Sequence, residues 1–437
     1  MGAGARTAAA PMASFFRGRL LSSTRSMSRA KLLFLSHRLP FPPHNGAAIR
    51  TYNLLRQLAM DFDVTALCFD RRDPAIETVP LEQRIAGLAS FAKCQAFPIP
   101  ALHSNTRLVW DHVRSVVDGK PYVYHVHESS AFEAALKKEL AAIRFDMVHI
   151  DSLDLMRFVP MVQHLPIACT HHNAESTLLL RRAAREKGLR SWYVRHQAGL
   201  LSRAEAQLLG RFDVNVTVSE VDSGVLRQLA PSARFAVIPN GVDADFFRPA
   251  ANGKRDGCVF VGGTTWFPNR DGLEWFTGHV LPRMRAAGMD DPVKWVGRIT
   301  DSERIEFSNP GLSFTGYVDD IRPHVLSAAC FIAPLRVGGG TRLKILDAWA
   351  MGAPVVATRA ASEGLDAVHG ENMLIADDAD DFVRATAQVL QDRELATRIG
   401  AGGRAVVEKT YSWEVVGARL RGLYHDVLSR RRVSTDR

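Results

Sequence analysis

The sequence has no apolar run long enough to cross a membrane. The longest runs, such as Lys31–Ser36, end well short of the roughly 18 residues that a membrane-spanning helix needs. Cysteine is also scarce: there are five among 437 residues, widely spaced and without the pairing that is typical of a zinc site. We therefore expect buried thiols in a reducing compartment, and a cytoplasmic protein that lies at most peripherally on the inner face of the membrane.

Patterns typical of two other classes of protein are missing as well. The chain has neither zinc-finger spacing nor an aromatic ribonucleoprotein pattern, and its basic residues are spread out, so we expect no nucleic-acid binding. The first apolar run leads into Ser36–Pro40 rather than the G-x-G-x-x-G turn of dinucleotide-dependent oxidoreductases. The net charge of +9 leaves anionic membranes and phosphate-bearing substrates as expected partners.

Residues 1–29 are rich in Ala, Ser and Arg and contain no acidic residue. This composition predicts a disordered N-terminal extension before the first strand. Met27 offers a second start that would leave only a few residues ahead of that strand. We favour an over-long reading frame, with a targeting segment as the alternative.

Short apolar runs then alternate with helix-length segments, which predicts parallel sheets built from βαβ units. The expected strands of the first series are Lys31–Leu35, Val64–Phe69, Met147–Ile150, Ile167–Thr170 and Asn215–Val218. Those of the second series are Cys258–Val261, Val293–Val296, Leu312–Thr315, Cys330–Ala333, Val355–Ala357 and Met373–Ile375. We predict an α/β protein with two Rossmann-like domains, 30–225 and 226–412, facing across a central cleft, and a C-terminal helix with a basic tail, 413–437.

The segment that says most about function is the strand, glycine loop and helix of Cys330–Met351. The glycines Gly338–Gly340 let a ligand approach the backbone, and the free N–H groups at the helix start, with Thr341 as the cap, suit an anion such as a diphosphate. Arg342 and Lys344 fall in the first helical turn, where cations oppose the helix dipole unless an anion is bound. We interpret the loop as a phosphate site; the alternative is a flexible turn with solvated cations.

Asp347 lies one turn beyond Lys344 on the same face of the predicted helix. Its carboxylate can reach past the phosphates, and two adjacent ribose hydroxyls can both donate hydrogen bonds to one carboxylate. Asp347 is therefore a candidate for binding the nucleoside.

This segment resembles the C-terminal signature of the retaining glycosyltransferases of family 4, or group 1, which have the GT-B fold. The resemblance covers nearly the whole chain from Lys31. It is carried also by Pro42–Gly46, Phe145–His149, His172–Glu175, Val237–Asp243, Phe260–Gly262 and Phe314–Gly316. A narrower resemblance, at Ser36–Pro43, is to sugar transferases found with exopolysaccharide systems.

The resemblance implies a hexosyl-type transferase that moves a sugar from a nucleotide-diphosphate sugar to a glycan or lipid-linked acceptor, in polysaccharide or glycoconjugate biosynthesis. It assigns the acceptor to the N-terminal domain and the donor to the C-terminal domain. Retention of anomeric configuration needs no protein nucleophile, because the acceptor can attack from the side on which the phosphate leaves, and that phosphate can take the proton. We expect neither a cofactor nor a metal ion.

The resemblance also assigns residues. Asp347 stands where the family has a ribose-binding Glu, and the backbone of Gly46 is expected near the donor phosphate. His172 is expected near the reacting sugar as the catalytic residue, although its neighbour His171 cannot be separated from it by sequence. The complete predicted donor-binding set is Gly46, Gly262, Gly339, Gly340, Thr341, Arg342, Lys344, Asp347 and Glu363.

Two departures from the family pattern concern the donor. Gly339 replaces a Glu that contacts the donor sugar, and we suggest that Glu363 reads the sugar hydroxyls instead. Gly262-Gly263 stands where Gly-Arg is common. We expect the missing phosphate charge to come from Arg342 and Lys344, with Arg270 as a third candidate.

A basic segment, Glu175–Arg211, mixes cations with Leu, Trp192 and Tyr193. It is either a solvated face of an ordinary helix pair, which we favour, or a contact for anionic lipid or a phosphorylated acceptor. For the whole protein, the alternatives to a transferase are a catalytically inactive relative that binds nucleotide sugar or glycan, and a nucleotide-sugar epimerase.

Overall fold

The computed structural model describes residues 29–71, 78–184, 186–250, 253, 255–337 and 342–435. The predicted extension, apart from Arg29, lies outside these residues. The first unit is a parallel sheet of seven strands in the order β3-β2-β1-β4-β5-β6-β7. Its strands are β1 Ala30–Ser36, β2 Phe62–Asp70, β3 Lys93–Pro98, β4 Met147–Ile150, β5 Ile167–His171, β6 Val214–Thr217 and β7 Phe235–Val237.

Helices cover both faces of this sheet, because its central strands are apolar on both sides. In β1, Leu32 and Phe34 join one core, whereas Leu33 and Leu35 join the other. The helices are α1 Gly46–Leu58, α2 Leu81–Ala86, α3 Asn105–Asp118, α4 Tyr122–Val126, α5 Ser130–Ala142, α6 Val159–Val162, α7 Glu175–Ala183, α8 Gly188–Leu208 and α9 Glu220–Leu229. Short 3₁₀ helices lie at Pro100–His103, Leu153–Phe158 and Leu209–Arg211.

The second unit is a parallel sheet of six strands in the order β10-β9-β8-β11-β12-β13. Its strands are β8 Cys258–Val261, β9 Val293–Val296, β10 Leu312–Gly316, β11 Cys330–Ala333, β12 Val355–Ala357 and β13 Leu374–Ile375. Its helices are α10 Phe267–Trp275, α11 Leu281–Ala286, α12 Asp301–Glu306, α13 Arg322–Leu326, α14 Leu343–Ala350, α15 Arg359–Ser362, α16 Ala379–Gln391 and α17 Arg393–Val406, with π-helical turns at Phe276–Val280 and Val407–Tyr411. The fold class is therefore as predicted.

The division between the domains differs from the prediction. A boundary between residues 225 and 226 would cut α9, and β7 pairs with β6 in the first sheet. The first sheet therefore extends to Val237. We missed β7 because it is only three residues long and half-buried at the edge of the sheet, so it leaves no continuous apolar run.

The last helix, α18 (Trp413–Thr435), leaves the second unit and returns to the first. Trp413, Leu420 and Tyr424 are buried in the same core as Leu32 and Phe34 of β1. The expected basic tail is part of this helix as far as Thr435, and Arg431 forms an ion pair with Asp213, with Nε 2.7 Å from Oδ1. A helix from the end of the chain thus completes the core of the N-terminal domain.

Candidate donor site between two Rossmann-like units

Three polar side chains meet at the carboxyl edge of the first sheet. His37 follows β1, Asp151 follows β4 and His172 follows β5, and these strands are neighbours in the sheet. The Nδ1 atom of His37 lies 3.9 Å from one oxygen of Asp151, and Nε2 of His172 lies 3.6 Å from the other. This edge, beside the point where the strand order reverses between β1 and β4, is where ligands bind in open α/β sheets.

Asp151 is the centre of this group and is fully buried. Its Oδ2 accepts hydrogen bonds from Thr51 Oγ1 at 2.7 Å and from Ser36 Oγ at 3.1 Å. Burial opposes ionisation of this carboxyl, but the imidazoles of His172 and His149 outweigh burial and hold its pKa well below the usual range. Asp151 is thus a fixed negative charge under the edge of the sheet.

The two adjacent histidines have different surroundings. His171 is buried in β5 with Nε2 2.9 Å from Asn215 Oδ1, and burial lowers its pKa to about 4. His172 is partly exposed, with Nε2 2.8 Å from the main-chain oxygen of Asp151. Because a carbonyl only accepts hydrogen bonds, Nε2 of His172 is the donor, which makes Nδ1 a hydrogen-bond acceptor in the neutral ring. The geometry therefore favours His172 over His171 for contact with a ligand.

His37 complements His172. Its Nε2 accepts a hydrogen bond from Arg38 Nε at 3.0 Å, so its Nδ1 carries the proton of the neutral ring. Burial lowers the pKa of His37 well below its usual value, which keeps the ring neutral. Within the described residues this buried Nδ1 has no hydrogen-bond partner. The two rings, with centroids 5.4 Å apart, thus present one donor and one acceptor.

Helix α18 is connected to this group through one histidine. The Tyr424 hydroxyl is hydrogen-bonded to Nδ1 of the buried His149, and Nε2 of His149 lies 3.5 Å from Asp151 Oδ1. A carboxylate only accepts hydrogen bonds, so Nε2 of His149 donates to Asp151, and Nδ1 of His149 accepts a hydrogen bond from the Tyr424 hydroxyl. The C-terminal helix therefore helps to orient the carboxylate at the edge of the sheet.

On the second unit, Lys344 in α14 approaches the end of β8. Its Nζ lies 2.6 Å from Asn269 Oδ1 and 4.0 Å from the centre of the Phe260 ring. A Cβ atom at Gly262 would lie 2.6 Å from this Nζ, so a side chain there would force Lys344 to move. Burial and the nearby Arg342 lower the pKa of Lys344 well below its usual value. An anion beside Lys344 would favour its charged form.

Arg342 is 3% exposed and occupies the N-cap position of α14. The helix begins at Leu343, so Arg342 precedes its first turn. Thr341, the predicted cap, lies outside the described residues. Burial lowers the pKa of Arg342, while Glu363 in its own unit and Asp222 across the cleft act in the opposite direction. Arg342 thus lies where the two units meet.

Glu363 follows α15 and lines a pocket together with Asn173, Arg181 and Asp222 of the first unit. This places Glu363 in the interdomain cleft. Its suggested contact with sugar hydroxyls stays a prediction.

Asp347 lies in the middle of α14 and is partly exposed. Within the part of the chain that the structure describes, no group donates a hydrogen bond to its carboxylate. Burial alone raises its pKa to about 7. A carboxylate that is costly to ionise and has no fixed partner is typical of a binding or catalytic site.

Gly46 connects the two halves of the site. It is the first residue of α1, whose N-cap Asn45 accepts a hydrogen bond from Ala48 N. A Cβ atom on Gly46 would lie 3.2 Å from Cδ1 of Leu343, at the start of α14. The N-terminus of α1, an anion-binding element, therefore faces the N-terminus of α14. Contact of Gly46 with a phosphate stays a prediction.

Two further predictions concern Arg270 and the glycine loop. Arg270 is wrong as a phosphate ligand, because its guanidinium pairs with three carboxylates, with N–O distances of 2.9, 3.0 and 3.3 Å to Glu274, Glu303 and Glu306 respectively. Gly339 and Gly340 lie outside the described residues.

Sequence reasoning missed several residues of the site. Arg50 is 1% exposed and donates hydrogen bonds to the main-chain oxygens of Ile238 and Pro239, so it fixes the segment that joins the two units. The positions of Asp151 and His37 at the site could have been predicted from sequence, because each residue directly follows a buried strand. Tyr424 had none, because only the packing of α18 brings it to His149.

The His37–Asp151–His172 group also bears on metal binding. Among the described residues, its ligand atoms lie within 4.8 Å of one another, close enough for a shared ion. In the tautomers that the hydrogen bonds assign, the nitrogens of His37 and His172 nearest Asp151 carry protons, so an ion bound there would require both rings to change tautomer. Independence from metal stays a prediction.

Solved structures with the same fold support the arrangement of two units. Sucrose-phosphate synthase from Thermosynechococcus elongatus matches with a TM-score of 0.65 at 17% identity, over 92% of this chain and 100% of that chain. Anabaena Alr3699/HepE in complex with UDP matches with a TM-score of 0.62 at 14% identity, over 91% of this chain and 100% of that one. The fold is GT-B: two Rossmann-like units that face each other across a cleft.

The family follows from the sequence matches. Residues 44–246 match Glycosyltransferase Family 4, and residues 255–392 match Glycosyl transferases group 1. Because these two regions together take up more than half of the chain, the protein belongs to the group 1, family 4 glycosyltransferases.

Two curated relatives share parts of the sequence. A lipopolysaccharide core biosynthesis glycosyltransferase, LpsE of Rhizobium meliloti, is 34% identical over 110 residues, which are 24% of this chain and 31% of the relative. A GDP-mannose-dependent alpha-(1-6)-phosphatidylinositol monomannoside mannosyltransferase of Mycobacterium tuberculosis is 28% identical over 215 residues, 44% of this chain and 55% of the relative. The chain thus spans between a third and about half of the length of these relatives.

Across the described ranges, no helix combines the length and apolar composition that a bilayer crossing requires.

Proposed function

We propose that this protein transfers a hexose from a nucleotide-diphosphate sugar to a glycan or lipid-linked acceptor, with retention of anomeric configuration and without a metal ion. The observation that carries the proposal is the Asp347 carboxylate, which has no hydrogen-bond donor within the described residues and lies on the same helix as Lys344. A ribose diol would supply two donors to this carboxylate. The diphosphate would then lie toward Arg342 and Lys344.

The positions of the two cations support this placement. Both lie at the start of α14, opposite the N-terminus of α1, so a diphosphate between the helices would meet two side-chain charges and two sets of free N–H groups. Lys344 Nζ lies beside Gly262, next to the position where the family commonly has Arg. We infer that Lys344 supplies this missing charge.

The chemistry needs positioning and charge stabilisation rather than a protein nucleophile. As the bond from the anomeric carbon to the phosphate oxygen breaks, negative charge grows on the diphosphate, where Arg342 and Lys344 would stabilise it. The acceptor oxygen forms its bond on the same face and passes its proton to that phosphate. Nδ1 of the partly exposed His172 would accept a hydrogen bond from one sugar hydroxyl.

The names of the relatives and neighbours guide the choice of donors to test. One relative is named for GDP-mannose and a phosphatidylinositol mannoside, and structural neighbours were solved with UDP or UDP-glucose. A lipid-linked acceptor and a peripheral position at a membrane are part of the proposal.

The first test measures thermal stabilisation by UDP, GDP, ADP and their sugars. Binding raises the melting temperature by mass action. We expect a shift with one nucleotide that is lost in Asp347→Ala and in the double variant Arg342→Ala/Lys344→Ala, but kept in the control Asp290→Ala, which changes an exposed carboxylate of the same unit. No shift with any nucleotide would refute the donor site.

Turnover and stereochemistry are tested next. Release of nucleotide from the donor selected above is followed with and without added chelator, and the anomeric configuration of the transferred sugar is read by NMR. Loss of activity with chelator would contradict metal independence, and an inverted product would contradict retention. Binding without turnover would favour the inactive relative, and conversion of the donor sugar without an acceptor would favour the epimerase.

A further inference from the structure

Helix α3 (Asn105–Asp118) turns its apolar side to solvent. Its buried residues are the polar Asp111 and Ser115. Between its polar ends, five exposed side chains are apolar: Val109 (61%), Trp110 (58%), Val113 (46%), Val116 (42%) and Val117 (80%). These five recur at the helical spacing of a single face. An amphipathic helix normally buries such a face, so this one is unusual for a protein surface.

Helix α8 lies beside α3 and extends the apolar surface. Nδ1 of His112 is 2.5 Å from the Tyr193 hydroxyl, and Gln197 Nε2 donates to Ser115 Oγ at 2.7 Å. These contacts advance together along both helices, so the helices run in the same direction and the start of α8 lies level with the start of α3. The α8 side chains exposed there are Leu189 (86%) and Trp192 (57%). We define the apolar surface as these seven exposed side chains of α3 and α8.

Cations surround the α8 part of the surface. Exposed basic residues near the start of α8 include Arg182, Lys187, Arg190 and Arg195. The carboxylate of Glu186 forms ion pairs with two of them, at 3.5 Å from Arg182 Nε and 3.1 Å from Arg190 Nε. On α3, Arg107 and Arg114 pair with Asp111 and Glu128. The α3 cations are therefore matched, and the excess positive charge lies on α7 and α8.

We propose that the apolar surface docks on an anionic lipid bilayer. Exposed tryptophans favour the interface between lipid headgroups and acyl chains, and exposed valines and leucines favour the apolar side of that interface. The unmatched cations complement anionic headgroups. A second copy of this chain fits less well, because a symmetric contact would bring the same cations face to face. We thus favour, for Glu175–Arg211, contact with anionic lipid over a solvated face. Helix α3, which the sequence did not single out, is part of the same surface.

Vesicle binding tests the proposal with the full chain and no nucleotide sugar. It bears on the membrane part of the proposed function, and its failure is distinguishable from failure of the proposed sugar transfer. Wild-type protein should sediment with phosphatidylcholine vesicles that contain phosphatidylglycerol, and much less with phosphatidylcholine alone. Lys187→Glu/Arg190→Glu should weaken binding to the anionic vesicles by about tenfold or more, since each basic residue near such a surface contributes severalfold. Trp110→Ser/Leu189→Ser should weaken binding to both kinds of vesicle.

The matched control is Ile305→Ser, which removes an equally exposed apolar side chain (79%) from α12 of the second unit and should bind as wild type does. Brominated phosphatidylcholine should quench the tryptophan fluorescence of the wild type, and less so that of Trp110→Phe/Trp192→Phe, which keeps the surface apolar. Because the changed side chains are exposed, the melting temperature should be unaffected.

Absence of sedimentation with anionic vesicles, or binding by the surface variants equal to that of wild type, would overturn the proposal. A second contradicting result is dimerisation that depends on protein concentration and is lost in the apolar variants, together with no vesicle binding. The surface would then be a contact between two copies of the chain.

Discussion

Replacing Asp347 with Asn should make the ligand-free protein more stable and, at the same time, weaken nucleotide binding. Burial raises the pKa of Asp347 from 3.8 to about 7, so the folded protein bears the cost of an ionised, desolvated carboxylate at neutral pH. One pKa unit corresponds to about 1.4 kcal/mol, which places the cost at up to about 4 kcal/mol, and less in so far as solvent reaches the side chain. Asparagine has nearly the same shape and carries no charge.

The sign of the pH dependence follows from linkage. Because the folded-state pKa is raised, Asp347 does not destabilise the protein below about pH 4, where both states are protonated. The destabilisation grows as the pH rises from about 4 to about 7 and is constant above that. The free energy of unfolding of Asp347→Asn should therefore exceed that of wild type by more at about pH 8 than at about pH 5.

Urea unfolding at these two pH values, for wild type, Asp347→Asn and the control Asp290→Asn, measures the difference. In parallel, calorimetric titration with the preferred nucleotide should show a loss of about tenfold or more in affinity for Asp347→Asn, since hydrogen bonds to a charged group contribute about 1.5 to 3 kcal/mol each. A variant that is no more stable than wild type at about pH 8, or that binds nucleotide normally, would refute the assignment of this carboxylate.

Three further predictions concern the rest of the site. Lys344→Met should lower nucleotide affinity about tenfold in the same titration, because a charge-assisted contact with phosphate is lost; unchanged affinity would contradict its role. Tyr424→Phe should lower the free energy of unfolding by about 1 to 3 kcal/mol, because buried Nδ1 of His149 loses its hydrogen-bond donor. An unchanged free energy in urea unfolding would show that this hydrogen bond from α18 does not support the site. His172→Ala should reduce turnover more than stability, whereas His171→Ala should mainly reduce stability; kinetics and melting on both variants compare them, and equal turnover losses would undo the distinction.

The central strands were predictable from sequence because they are buried on both faces. Such burial requires continuous apolar runs, as in Cys330–Ala333, and every predicted strand is present. The two edge strands of the first sheet are different: β3 (Lys93–Pro98) is half-buried and mixed in composition, and β7 is short. With one side of an edge strand open to solvent, the hydrophobic pattern weakens, and both strands were missed.

For the site, local sequence was sufficient where the chemistry is local. Lys344 and Asp347 are one helical turn apart, so their shared face follows from helical spacing alone. The His37–Asp151–His172 group combines residues from three distant parts of the chain, and only the order of β1, β4 and β5 in the sheet brings them together. The same holds for Tyr424, because the apolar spacing of α18 determines a helix but not which core that helix enters. Sequence thus determined the elements and the local donor site, whereas tertiary packing decided which distant side chains complete it, since contacts between distant residues depend on topology and not on spacing along the chain.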